Sequence, residues 1–179
     1  MTYKHRMAVV GLVASACLTN AAGLLAADVA CSAWRWDTSR EQALFRTDAA
    51  AVDAAASTET APRIGTGRLY DAILAPQQKV AFAVAPGKTM LADGTHAGLL
   101  QFSVEQAGLY RVAIDQHSWL DVLHEGRALP SKDFQGSPGC APQKMVIYEL
   151  PAQAMLLLQI SGNPTDHVRL TITAESRSP

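Results

Sequence analysis

From Arg68 onward the chain alternates apolar with small or polar residues at a period of two, and this pattern constrains the fold more than any other feature. Val80, Phe82 and Val84 set the rhythm, followed by Leu100, Phe102 and Val104, then Tyr110, Val112 and Ile114. Leu120 and Val122, Leu156 with Leu158 and Ile160, and Val168 with Leu170 and Ile172 continue it. Successive side chains on a strand point to opposite faces, so each run describes a strand with one buried face. Met145 to Tyr148 is apolar or aromatic at every position, which predicts a strand buried on both faces. Turn-forming clusters separate the runs: Ala85-Pro86-Gly87-Lys88, Gly94-Thr95, Glu125-Gly126, Gly136 to Gly139 and Ser161-Gly162-Asn163-Pro164. About seven or eight short strands so spaced predict an all-β domain, an antiparallel β-sandwich or a jelly-roll-like or barrel closure of the same strands. No βαβ pattern interrupts them.

The N-terminus has a different logic. Lys4 and Arg6 precede the uncharged run Met7 to Ala16, and small residues follow through Ala21, Ala22, Ala26 and Ala27. A positive start, an apolar middle and a small-residue end predict a cleavable secretory signal over residues 1–27 and an exported, periplasmic or secreted product. A retained anchor is the rival, diluted by Gly11, Thr19, Asn20 and Gly23. Ala14-Ser15-Ala16 would cut before Cys17, and Leu25-Ala26-Ala27 before Asp28. Cys17 faintly suggests a lipoprotein signal, but Ala14 stands where a leucine is expected. The domain plan is therefore a signal over 1–27, an N-terminal segment or linker over 28–66, and the β domain over 67–175.

Charge excludes one class of partner. The chain carries 15 basic and 16 acidic residues, and losing Lys4 and Arg6 would leave 13 against 16. No basic patch remains to neutralise phosphates, so no nucleic-acid partner is predicted. Of three cysteines, Cys31 and Cys140 lie beyond the signal. In an oxidising compartment such a pair bridges, and a Cys31–Cys140 disulfide is predicted, with two buried free thiols as the rival.

Two segments before the alternating region stay open. Trp34 and Trp36 would share a face, either as a carbohydrate-stacking platform or as packing for the N-terminal segment, and packing is favoured. Residues 46–62 are alanine-rich, consistent with a short helix over Thr47 to Ala56 or with a mobile linker.

Gly108 to Ser131 (GLYRVAIDQHSWLDVLHEGRALPS), Gly139 to Leu150 (GCAPQKMVIYEL) and Leu156 to Gly162 (LLLQISG) carry a family resemblance. The chain is similar, over about residues 68–173, to small exported proteobacterial proteins. These share a G-x-Y-R-V-A strand, a W-[IL]-D-V strand, a lone downstream cysteine and an L-Q-[IL]-S-G ending. Some of them carry the automatic label homogentisate 1,2-dioxygenase. More loosely, the rhythm resembles bacterial pre-peptidase C-terminal sandwich domains.

The label implies iron held by two histidines and a carboxylate. His96, His117, His124 and His167 are scattered, no His-x-Asp or His-x-Glu pair occurs, and His124 has the opposite parity to His117 and Asp121. Ser118 and Ser161 lack a GxSxG context. Asp115 with Asp121, or Glu105 with Glu125, could act as a catalytic pair only if they faced each other across a cleft. No catalytic residue, metal or cofactor is therefore predicted. His117, Trp119 and Asp121 should project together from the face opposite Leu120 and Val122, as a row suited to a sugar or peptide; the competing reading packs Trp119 between two sheets. The predicted function is an exported, non-catalytic binding or interaction module whose partner is an envelope protein or a carbohydrate. The alternatives are the labelled enzyme, and an envelope inhibitor or accessory protein acting through a loop over Lys132 to Pro142. Membrane contact is expected only through the signal.

Overall fold

A computed structural model describes residues 31, 33–88 and 94–175. The expected signal and Cys17 lie outside the described residues. The fold is an all-β sandwich of two sheets. Strands β1 (Ala50–Asp53), β2 (Tyr70–Ile73), β11 (His167–Ala174), β5 (Gly108–Ile114), β9 (Lys144–Leu150) and β8 (Ser131–Gly136) form a six-stranded sheet in that spatial order. Strands β3 (Ala75–Pro76), β4 (His96–Phe102), β10 (Leu156–Asn163), β6 (Trp119–His124) and β7 (Arg127–Ala128) form a five-stranded one. All neighbours are antiparallel except β1 and β2.

The alternation decides the inner core. Leu158 of β10 is flanked by Leu100 on β4 and Val122 on β6. Val112 of β5 is flanked by Val146 on β9 and Ile172 on β11. All six belong to the one apolar cluster between the sheets. Burying each such side chain contributes about 1.5–3 kcal/mol. Tyr110 closes the start of β5 by donating its hydroxyl to the Gln106 carbonyl at 3.0 Å. Gly98 permits the closest approach in this core: a Cβ built there would lie 2.5 Å from Ala54 Cβ and 2.8 Å from Leu74 Cδ2. Gly98→Val is therefore expected to cost about 1–3 kcal/mol by overpacking, seen as a lower urea midpoint with an unchanged slope.

Both outer faces are also covered. Cys31 and residues 33–49 lie across the six-stranded sheet, where Phe45, Leu69, Ala113 and Met145 form a second cluster flanked by Trp34 and Trp36. The two indoles stack at 6.5 Å, so their packing role holds, although they lie in a bend rather than a strand. Helix α1 (Ser39–Leu44) follows, its entry turn held by Ser39 N donating to Asp37 Oδ1. The Cys31–Cys140 disulfide pins this segment, with Cα atoms 5.5 Å apart.

Residues 46–62 are not the expected helix or loose linker. Ala50 to Asp53 pair in parallel with Tyr70 to Ile73, and Ala55 and Arg63 bridge to Leu99 and Gln101 on the edge of β4. The boundary expected near residue 66 thus falls inside the sandwich. A ten-residue alanine helix is marginal in water without an apolar face to bury, whereas two sheet edges offer unpaired backbone groups to this segment.

The run Val80, Phe82, Val84 is not a strand either. It lies as a strap on the outer face of the five-stranded sheet, over Leu99, Leu123 and Leu157. The side chain of Gln159 takes the place of a partner strand: its Oε1 accepts from Ala83 N at 2.8 Å, and its Nε2 donates to the Val84 carbonyl. Among the described residues, no helix is long and apolar enough to cross a membrane.

Candidate functional site

The residues expected to form an exposed row are separated by this strap. Trp119, Asp121 and Leu123 do share the outer face of β6, opposite Leu120 and Val122. That face is not open. Asp121 is only 8% exposed. Its Oδ1 accepts from Trp119 Nε1 at 2.9 Å and its Oδ2 from Gly87 N at 3.1 Å. The strap can come so near because residue 87 is glycine: a Cβ would sit 3.0 Å from Asp121 Oδ1 and 3.2 Å from Trp119 Nε1. Asp121 is thus a clamp for the strap rather than a ligand group. Trp119 is half-buried on this outer face, so it does not pack between the two sheets. His117 is exposed in the turn before β6.

Trp119 and His117 open instead onto a cleft of about 240 Å³ where β6 begins, β8 ends and β9 begins. Lys88, Phe134, Pro138, Gln143 and Lys144 complete its walls. Lys144 Nζ donates to the Ser118 carbonyl at 2.6 Å and lies 5.3 Å from the Trp119 ring centre, where the ring's negative face attracts it. Burial, and then the neighbouring Lys88, push the Lys144 ammonium below the ordinary lysine value, with Asp121 pulling the other way. Phe134, on edge strand β8, is 63% exposed.

The floor is rigid. Ser118 Oγ donates to Asn163 Oδ1, and Asn163 Nδ2 donates to the Thr165 and His167 carbonyls, which fixes the turn carrying His117 to the β10–β11 turn. Tyr148 crosses between the sheets and donates its hydroxyl to the Leu120 carbonyl at 2.8 Å. Burial raises its phenol well above the usual range, so it stays protonated. Phe134 lies inside the candidate loop over Lys132 to Pro142, but no signal in the sequence marks Lys88 or Lys144 as site residues, because their meeting depends on which sheet each strand joins.

The other candidates disperse. Asp115 accepts from Arg169 N and Nε, each at 2.9 Å, and so is engaged by an arginine rather than by a carboxylate partner among the described residues. Glu105 and Glu125 are exposed in separate turns. Lys132 to Gly136 belong to β8, so the expected loop over Lys132 to Pro142 shortens to the turn beside Cys140. His124 lines an open groove of about 650 Å³ at the far end of β6, where Lys132 and Glu149 pair at 2.7 Å.

His167 Nδ1 lies 3.1 Å from Asp71 Oδ1, and this hydrogen bond raises the imidazole above 6.5. The pairing should therefore be complete below the unfolded-state value and be lost as pH rises through the higher folded-state value. In an NMR titration, Asp71→Asn should return His167 toward the ordinary value.

An iron dioxygenase site needs donors that converge. Among the described residues no group of three His, Cys, Asp or Glu side chains could hold a metal ion. His117, His124 and His167 serve three different places, so these donors do not fit the iron set that the label implies. No protein-family model and no curated protein sequence matches the chain.

Proposed function

We propose that this chain is an exported, non-catalytic β-sandwich binding module whose ligand enters the Trp119 cleft. The observation that carries the reading is a half-buried indole lining a cleft of about 240 Å³ on a hydrogen-bonded floor. Aromatic faces contribute large contact area at little cost in conformational entropy, which suits a sugar ring. Export is supported by the signal-like N-terminus, by the Cys31–Cys140 bridge, which belongs to oxidising compartments, and by the resemblance to small exported proteobacterial proteins. A protein partner from the envelope is the second reading. It is favoured by Phe134, which stands exposed on an edge strand beside the cleft.

Titrating isotope-labelled protein with monosaccharides is expected to shift the Trp119 indole signal, and Trp119→Ala should weaken binding about tenfold or more. Phe134→Ser removes a wall of the same cleft and should weaken sugar binding too; an envelope partner captured by the wild type and lost in this variant, with no monosaccharide binding to the wild type, would favour the second reading. Shifts confined to the His124 groove, with Trp119 unmoved, would refute the assignment of the cleft.

A further inference from the structure

We propose that the cleft selects an organic carboxylate with a flat nonpolar body, the carboxylate held between Lys88 and Lys144 and the body against Trp119 and Phe134. The proposal rests on the cleft being the ligand site and adds the charge and shape of what it takes.

Four observations converge on it. Two ammonium groups line one small cleft, although the chain as a whole is slightly acidic at a formal net charge of −1. Among the described residues the lining contains no carboxylate. Asp121, the carboxylate whose charge acts on Lys144, has both oxygens engaged, one by the Trp119 indole and one by the Gly87 amide, and it is buried beneath the strap. Neither Lys88 nor Lys144 forms an ion pair with a described residue, whereas the lysine of the far groove is paired with Glu149. Lys144 spends one donor on the Ser118 carbonyl, and an ammonium has three. Its remaining donors and the exposed Lys88 make a site in which an incoming anion relieves repulsion between two like charges.

The aromatic groups determine the rest of the ligand. Inorganic phosphate or acetate would satisfy the lysines and leave Trp119 and Phe134 without a partner. A body with a flat nonpolar face covers both rings and displaces water from them. Two sources share this chemistry: a uronic sugar, whose axial C–H face stacks on indole, and an aromatic acid.

The test uses the full disulfide-bonded protein with glucuronate, benzoate, glucose, benzamide and acetate as probes, followed by the Trp119 indole signal and by calorimetry. At least one of glucuronate and benzoate should bind about tenfold more tightly than its uncharged counterpart and than acetate, because a hydrogen bond to an ionised group is the stronger kind. The tighter of the two identifies the source. Lys88→Ala and Lys144→Met should each remove that preference, and added salt should weaken it. Lys88 is exposed, so Lys88→Ala tests the charge even if Lys144→Met folds poorly. Glucose or benzamide binding as tightly as the acid, with Trp119 shifting, would overturn the charge inference and leave the cleft standing. Acetate matching both acids would overturn the part played by the rings. Perturbation at His124 and Lys132 alone, or none with any probe, would overturn the cleft as well.

Discussion

Replacing Cys31 and Cys140 together with serine is expected to lower the unfolding free energy by about 4–5 kcal/mol, the chain-entropy value for a loop near 100 residues. The bridge joins positions 109 apart, so the loop it closes runs from the N-terminal segment through β8, with β9, β10 and β11 outside it. It also anchors the segment that covers the outer face of the six-stranded sheet, where Phe45, Leu69, Ala113 and Met145 are buried. Urea unfolding of the wild type, oxidised and reduced, beside the double variant should place the last two together and well below the first. Hydrogen exchange should increase in α1 and at the outer-face positions of β5 before it increases at Val112 or Leu158. An unchanged urea midpoint would mean that the segment is held by its packing alone.

Arg111→Met should be nearly as costly, at about 3–5 kcal/mol, because it leaves a buried carboxylate without its cation. Arg111 is 5% exposed and Glu41, beneath it on α1, is 1% exposed. The guanidinium contacts the Asp37 carbonyl at 2.5 Å, Glu41 at 3.5 Å and Glu175 at 3.2 Å, and it lies over the Trp36 ring. Glu41 also accepts from the Thr173 hydroxyl. Removing the arginine strands Glu41 with that single hydroxyl. Replacing both charges, Glu41→Met with Arg111→Met, should recover much of the loss, since two apolar groups need no partner. A double variant as unstable as the single would show that the network acts through specific geometry rather than through charge burial.

The same network explains much of what the residue pattern could not convey. In GLYRVA, Tyr110 closes the strand start and Arg111 holds the N-terminal segment. In WLDV and LQISG, Asp121 and Gln159 clamp the strap over residues 83–87. Arg111, Asp121 and Gln159 each sit at a strand position that alternation assigns to solvent, and each is buried. The strap explains the one misplaced strand as well. Val80, Phe82 and Val84 keep a period of two because a chain lying flat on a sheet must also turn alternate side chains down. Periodicity reports which side faces apolar surface, and it does not report whether the neighbouring backbone is a strand. The alanine-rich stretch shows the converse. Ala50 and Ala51 have strong helix propensity locally, and the open edge of β2 overrides it.

The sequence by itself determined the strands of the inner core, their inward faces and the pairing of Cys31 with Cys140. Side-chain alternation is a local property and specifies the strands and their faces, while cysteine count is a countable one and specifies the bridge. Only the tertiary structure decided that both outer faces are covered, that Asp121 is a clamp while Trp119 opens to a cleft, and that Lys88, Phe134 and Lys144 meet beside it. Those outcomes depend on partners far along the chain, 74 residues from Arg111 to Asp37 and 76 from Gln159 to Ala83. A buried polar group takes whatever donor or acceptor the folded chain brings to it, and a one-dimensional pattern carries no record of that meeting.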